Sequence, residues 1–315
     1  MIYRDLKAAD GEMQVSAIAI GSAVRMSMLS SNELFDIYDC FVEHGGNCID
    51  TARAYSGGRA EELVGEYLRT RGKRNKIIIS TKCGHPSADG SSRLSAQDMC
   101  SDMDASLEAL STDYIDIYWV HKDDKSIPVE GIIDSLNQFI REGKVRMIGA
   151  SNWTTERIAA ANAYALQSGQ IGFGASQIQW SFAETLSLYF EKFTSLVMDD
   201  SAYRWYLNNK MTVFAYSAQA QGFFQRVAEK GLAELDMETQ RNYGNPENMR
   251  RLMRAQDYSK AHGVPLTVPI LGYLISNALT CIPVIGARSR EMLTESILAV
   301  EKPVSPEEAR WLANG

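Results

Sequence analysis

The sequence has no uncharged apolar stretch approaching the roughly 18 residues that a membrane-spanning helix needs. It has no excess of positive charge either. A formal net charge of -7 and a pI near 5.3 exclude a broad basic surface of the kind that holds nucleic acid or anionic membranes. A few local cations would still suffice for a small anionic ligand. Cysteine is sparse and odd in number, and Cys48, Cys83 and Cys281 lie in or beside apolar runs, so all five, with Cys40 and Cys100, are expected to be thiols of a reducing compartment. The start, MIYRDLKAAD, carries charges and no apolar h-region, which makes a cytoplasmic protein the expectation.

Several chemistry-bearing motifs are also missing. There is no H-E-x-x-H and no paired C-x-x-C, so no metal is expected. There is no G-x-G-x-x-G after a strand, which removes the Rossmann fingerprint. GASNW (149–153) has a serine at the offset of a nucleophile elbow, but Trp153 stands where the second glycine belongs. No linker or low-complexity segment divides the chain, and residues 1–315 are expected to form one domain. With 45% hydrophobic and 23% charged residues, that domain can bury a large core.

What is present is alternation. Eight short apolar runs, AIAI (17–20), NCID (47–50), IIISTK (77–82), IDIYWVH (115–121), VRMIGAS (145–151), ASQIQW (175–180), MTVFAY (211–216) and CIPVIG (281–286), have strand length. Helix-like stretches lie near 32–44, 60–71, 95–110, 127–142, 154–167, 185–209, 246–278 and 289–300. Ser95 with Asp98, and Ser305-Pro306-Glu307-Glu308, read as helix starts. Strands too apolar to face water, each followed by a helix, require a parallel sheet covered by helices, and eight such units favour closure into a (β/α)8, or TIM, barrel. The polar stretch 225–250 outlasts a normal loop and is expected to be a lid or substrate loop.

In such a barrel the active-site groups sit at the carboxyl ends of the strands. Asp50, Lys82, His121, Ser151 with Asn152, and Tyr216 end five of the runs, and Gln177 lies within another. Singly, His121 reads as a satisfied buried histidine, Lys82 as a snorkelling lysine, and Gln177 and Tyr216 as core residues. Together, a lysine and an aspartate at neighbouring strand ends would form an ion pair that is costly to bury for stability alone.

The runs GNCIDTARAYSGGRAEELVGEYL (46–68), IIISTK (77–82), DYIDIYWVHKDD (113–124), GKVRMIGASNW (143–153), IQW (178–180), FAYS (214–217) and IPVIGARSREMLTES (282–296) occur in the order found in the aldo-keto reductases, and the chain resembles that family over most of its length. The fold this implies is the barrel already reached, with an N-terminal β-hairpin and long loops at the C-terminal face. The resemblance implies a catalytic tetrad of Asp50, Tyr55, Lys82 and His121. Reduction of a carbonyl by hydride leaves an alkoxide that must be protonated, and Tyr55 would be the general acid. Lys82 would lower the phenol's pKa toward working pH, Asp50 would hold the lysine, and His121 would direct the carbonyl oxygen.

Hydride chemistry needs a nicotinamide, since no side chain supplies a hydride. The resemblance assigns Ser151, Asn152 and Gln177 to its carboxamide, Tyr216 to its ring face, and Ser217 with the loop through Gln219 and Gln221 to the pyrophosphate. Ala218 stands where the family often has proline. Gly286 and the helix after it suit a phosphate, Arg288 matches a position that meets an adenosine 2'-phosphate, and Glu295 matches an adenine contact. Ser296 replaces the family's usual asparagine. Ser22, Ala23 and Met292 complete the implied contacts. NADP(H) is favoured and NAD(H) is allowed. As a solvated charge, Arg288 would have none of this role.

The expected activity is reduction of an aldehyde or ketone, or the reverse on a sugar or polyol; the partner is a small carbonyl or sugar substrate. Pocket walls are expected from Ser22 to Met26, Gly84 to Asp89, Lys122 to Lys125 and 225–250, with Arg25 and Lys122 as solvated loop charges by default. A nicotinamide-binding regulatory subunit with little turnover, and an isomerase that recycles its nicotinamide, remain as alternatives. Oligomeric state is not legible.

Overall fold

The structure, a computed structural model, describes residues 1–23, 29–185 and 195–315. An antiparallel hairpin, β1 (Tyr3–Ala8) and β2 (Gly11–Ser16), precedes eight parallel strands: β3 (Ala19–Gly21), β4 (Cys48–Asp50), β5 (Ile78–Cys83), β6 (Ile115–Val120), β7 (Val145–Ser151), β8 (Ala175–Gln179), β9 (Thr212–Tyr216) and β10 (Cys281–Ile285). They close in the order β10-β3-β4-β5-β6-β7-β8-β9. This is the TIM barrel, with its N-terminal hairpin, that the alternation and the resemblance anticipate.

The barrel interior is filled in layers by alternate residues of the strands, because successive side chains point to opposite faces. Ala19, Cys48, Ile78, Ile117, Met147, Ala175, Phe214 and Ile282 form one apolar cluster with Leu6, Ala8, Met13 and Val15 of the hairpin, which plugs the amino-terminal end. Each large plug side chain contributes about 1.5–3 kcal/mol by leaving water. Above this floor Trp119 fills the middle of the barrel, edge-on to Phe214 with ring centroids 5.1 Å apart. Its register partner is Gly149, where a Cβ would come within 2.3 Å of the indole. The glycine therefore makes room for the tryptophan on which the polar layer rests.

Around the barrel run α1 (Ser31–Glu43), α2 (Arg59–Arg71), α3 (Ala96–Leu110), α4 (Val129–Arg141), α5 (Thr155–Gln167), α6 (Asp200–Asn208), α7 (Phe223–Lys230), α8 (Met237–Tyr243), α9 (Pro246–His262), α10 (Thr267–Ile275), α11 (Arg290–Glu301) and α12 (Pro306–Asn314). Ser95 caps α3, and Ser305 with Glu308 closes a capping box on α12, as their spacing predicts. None of the described helices is long and apolar enough to cross a membrane.

Three expectations are corrected. The first barrel strand begins at Ala19 rather than Ala17, because Ala17 N donates to Ile2 O and Ser16 Oγ to Ile18 O, tying that turn to the hairpin. The segment 225–250 is not an open loop: it folds into α7, α8 and the start of α9, capped by Asp236 and by Asn245 followed by Pro246. Phe223, Phe224, Leu235, Tyr243 and Leu252 pack there with Phe182 and the C-terminal helices in a second core. The long stretch 246–278 is two helices, separated after Gly263, whose φ of 61° ends α9. The helix expected over 185–209 is seen as α6, and its part at 186–194 lies outside the described residues, as do Arg25 and Met26.

Candidate active site

Strand parity delivers the polar layer. Cys48 and Asp50 on β4, Ile78, Ser80 and Lys82 on β5, and Ile117, Trp119 and His121 on and just after β6 share the inward face, so Asp50 stands on Cys48, His121 on Trp119, and Lys82 on Ser80 with Ile78 beneath. Asp50 is the hub. Its Oδ2 accepts from Lys82 Nζ at 2.7 Å, and its Oδ1 accepts from Ser80 Oγ at 2.7 Å and Gln177 Nε2 at 2.9 Å. Lys82 Nζ also donates to Thr51 O at 2.6 Å, and Ser80 Oγ accepts from Trp119 Nε1 at 2.7 Å. The ion pair is buried, its side chains 0% and 4% exposed, so desolvation of both charges must be offset by this full set of partners.

Tyr55 lies on a 3-10 turn after β4. Lys82 Nζ is 4.9 Å from the centre of its ring. The His121 imidazole stands edge-on to the phenol at 5.8 Å. Three of the four tetrad residues are buried, and Tyr55 is half-buried at the mouth.

Burial by itself would lower the Lys82 pKa, but Asp50 and then Tyr55 reverse this and hold the ammonium above its ordinary range. Burial pushes the Tyr55 phenol up; Lys82 pulls it back only in part, and Asp50 adds to the rise. The expected drop of the phenol toward neutral pH is therefore not found, because desolvation outweighs the lysine. Burial, then Lys82, His85 and Lys122, push His121 well below its usual value, so the imidazole is neutral. At neutral pH the arrangement is thus a protonated phenol, a charged ammonium and a neutral imidazole.

The residues assigned to the nicotinamide fall on neighbouring strand ends. Ser151 ends β7, Gln177 lies in β8 opposite it in register, and Tyr216 ends β9. Asn152 follows with a left-handed φ of 59°. Its amide is saturated: Oδ1 accepts from Tyr216 Oη at 2.8 Å and Leu196 N at 3.2 Å, and Nδ2 donates to Ser151 Oγ at 3.1 Å and His121 O at 3.3 Å. Gln177 is half-committed to Asp50. A carboxamide bound here would exchange with these bonds rather than fill a gap.

Elsewhere the strand ends leave polar atoms unmet. Ser22 Oγ, Thr51 Oγ1 and His121 Nδ1 are buried with no hydrogen-bond partner among the described residues, although Ser22 N is tied to Asp50 O at 2.8 Å. Ala23 beside it is exposed. After Tyr216, Ser217, Ala220 and Gln221 take φ of 53°, 47° and 56°. Runs that visit the left-handed region turn successive N–H groups to one side and form anion-binding concavities. Gln219 Nε2 reaches Ser296 Oγ at 3.2 Å, joining that loop to α11. Glu295 Oε2 accepts from Thr267 Oγ1 at 3.4 Å, Gly286 follows β10, Arg288 and Met292 are exposed, and Arg288 has no ion pair among the described residues. The left-handed turn at Ser217, Ala220 and Gln221 and the exposed guanidinium of Arg288 fit a bound dinucleotide phosphate.

The sequence model of the Aldo/keto reductase family matches residues 17–313. The chain belongs to that family. The reductase is 27% identical over 310 residues to an aryl-alcohol dehydrogenase of Pestalotiopsis microspora, a match covering 96% of this chain and 77% of that protein. It is 31% identical over 286 residues to norsolorinic acid reductase A of Aspergillus parasiticus, covering 88% and 69%. A putative aryl-alcohol dehydrogenase of Saccharomyces cerevisiae is 28% identical over 305 residues, covering 91% and 77%. The reductase is accordingly an oxidoreductase of the NAD(P)H-dependent kind.

Reading strand ends missed several members of the site. Ser80 and Trp119 precede Lys82 and His121 by two residues, and period-two parity alone would have found them. His85, whose ring lies edge-on to His121 at 5.0 Å, follows Lys82 in a segment expected to wall the pocket. Lys122 is not merely a solvated loop charge: burial lowers its pKa to about 8, and its Nζ donates to Ser195 Oγ at 3.0 Å.

Proposed function

We propose that this reductase uses NADPH to convert an aldehyde or ketone to its alcohol, with Tyr55 as the proton donor. Carbonyls attached to aromatic rings are the first substrates to try, because relatives are named for aryl alcohols and for norsolorinic acid. The observation that carries the reading is the buried Asp50–Lys82 pair, whose ammonium lies 4.9 Å from the ring centre of one phenol at the mouth of the barrel.

When bound, the nicotinamide supplies the hydride. The chain does the rest. Tyr55 Oη, protonated at neutral pH, donates to the carbonyl oxygen as negative charge develops there. Lys82 favours the phenolate left behind, and Asp50 keeps that ammonium charged and aimed. Neutral His121 presents its ring beside the phenol and orients the oxygen without competing as an acid. Ser151, Asn152 and Gln177 are assigned to the carboxamide, Tyr216 to the ring face, and Ser22 and Ala23 to the same end. The Ser217, Gln219 and Gln221 loop is assigned to the pyrophosphate, Gly286 and Arg288 to the 2'-phosphate end, and Met292, Glu295 and Ser296 to the adenine side.

The test is a titration with NADPH and NADH, followed by benzaldehyde-type and aliphatic carbonyls watched at the nicotinamide absorbance. Tyr55→Phe is expected to lower kcat by roughly 10²–10⁴ with cofactor affinity nearly unchanged; full activity in that variant removes Tyr55 as donor. Arg288→Ala is expected to weaken NADPH by roughly 10–100-fold, the worth of a hydrogen bond to a charged group, and to spare NADH. Equal losses for the two cofactors would remove the 2'-phosphate role. Tight binding with no turnover on any carbonyl would favour the regulatory alternative.

A further inference from the structure

Tyr55 stands on the backbone of the site that is least able to hold itself. After Asp50 the chain leaves the barrel, and α2 does not begin until Arg59. Between them Ser56, Gly57 and Gly58 have φ of 52°, 65° and 96°, and the turn's own ties are Tyr55 N to Ala52 O at 3.0 Å and Arg59 N to Tyr55 O and Ser56 O. Two glycines and a serine in the left-handed region hold one conformation poorly unless something outside the turn restrains them. A proton donor nevertheless has to be kept within a fraction of an ångström of its acceptor.

The restraint comes from the side away from the substrate. Arg53 Nη1 donates to Glu61 Oε2 at 3.0 Å. The other oxygen of Glu61 accepts from Thr81 Oγ1 at 2.6 Å, and Thr81 is the residue before Lys82. Arg53 N also donates to Lys82 O at 3.3 Å. The guanidinium lies against Gly58, where a Cβ would approach Nη2 to 2.2 Å. Glu61 is fully buried, while the arginine side chain is 30% exposed. One ion pair thus runs from two residues before Tyr55 to six residues after it, and fastens both flanks of the turn to the strand that carries Lys82. An apolar pair would fill this space at no desolvation cost, so the charges call for another role.

We propose that Arg53 and Glu61 are positioning residues that hold the Tyr55 phenol against Lys82. The inference rests on Tyr55 being the donor, and the test separates the two statements. Arg53→Met alone strands a buried carboxylate and threatens folding, so the decisive protein is Arg53→Met/Glu61→Gln, which removes both charges and leaves Thr81 an acceptor. In the double variant kcat for carbonyl reduction is expected to fall at least tenfold, with the NADPH Kd and the substrate KM within twofold of the parent. Arg53→Lys, which keeps the charge but not the fork, is expected to recover part of the loss. A purely structural pair would instead lower the melting temperature or cofactor affinity and spare kcat of the folded protein. A folded double variant with kcat within twofold of the parent, alongside an inactive Tyr55→Phe, overturns the positioning role and leaves the donor standing. An active Tyr55→Phe overturns both.

Discussion

The barrel buries a carboxylate at each end, and the two are used differently. At the amino-terminal end Asp116, on β6, accepts from Arg74 Nη2 at 3.0 Å, Arg146 Nη1 at 2.8 Å and Ile79 N at 2.9 Å. Its arginines are 20% and 28% exposed and reach in from the surface. Among the described residues no buried side-chain polar atom of Asp116, Arg74 or Arg146 is left without a partner, and the group ties β6 to its neighbours beside the hairpin plug. At the carboxyl-terminal end Asp50 is as well bonded, but its cation is wholly buried and lies 4.9 Å from the centre of a phenol ring. Beside that pair, His121 Nδ1 and Ser22 Oγ have no partner among the described residues. Burial of an ion pair therefore does not mark a catalytic site by itself. What separates the ends, among the described residues, is buried hydrogen-bonding capacity left unmet beside Asp50 and none left unmet on Asp116 and its two arginines.

Surface concavity alone does not mark the tetrad. Two surface cavities of about 240 and 390 Å3 open at the amino-terminal end, one beside Asp116 and Arg146, the other beside Leu166 and Ile171. Neither is lined by a tetrad residue.

Parallel substitutions break the comparison most forcibly. Lys82→Met leaves the Asp50 carboxylate buried without its cation and is expected to cost about 3–5 kcal/mol of stability together with nearly all carbonyl reduction. Arg146→Met leaves Asp116 its bonds to Arg74 and Ile79 N, and is expected to cost about 1–3 kcal/mol with kcat within twofold of the parent. Denaturant titration and steady-state rates on the two variants read both effects. If Arg146→Met lost as much activity as Lys82→Met, the two ends would not be separable into scaffold and chemistry.

How much of this could be read from residues alone follows the same division. Asp50, Lys82 and His121 were legible because a parallel barrel places the last inward residue of each strand at one mouth, and the runs that carry them are unmistakably apolar. Tyr55 was legible only through the family resemblance, since nothing in YSGG fixes where a phenol points. The Gln177 bond to Asp50 crosses the barrel over a separation of 127 residues and leaves no local trace. The direction of the Tyr55 shift was misjudged because two opposing effects had to be weighed, and the depth of burial is a tertiary quantity. In 225–250 the caps were present in the sequence, at Asp236 and at Asn245-Pro246. The stretch is polar because the helices they start bury only a narrow face, including Tyr243 and Leu252.

The smallest expected effect sharpens the comparison through pH. His121 sits at the mouth with its pKa held well below the ordinary histidine value, whereas no histidine borders Asp116 in the cavity at the other end. Below about pH 6.5, the ordinary value, the unfolded chain binds a proton at this residue and the folded chain does not. Stability therefore falls as pH falls, by about 1.4 kcal/mol per unit at most, until the folded-state pKa is reached. Carboxylates add acid loss of the same sign only nearer pH 4, so the interval from 6.5 to 5 is the one to examine. Urea unfolding of the parent and of His121→Gln across that interval should show a shallower slope in the variant; equal slopes would mean that the imidazole is already protonated in the fold. The same neutrality bears on the chemistry. With a neutral imidazole and a phenol whose pKa is raised, carbonyl reduction should show no loss from either group as pH rises from 6 to 9, and should decline only above the ordinary phenol range. A kcat that fell through pH 6–7 and lost that limb in His121→Gln would transfer the proton donation from Tyr55 to the histidine.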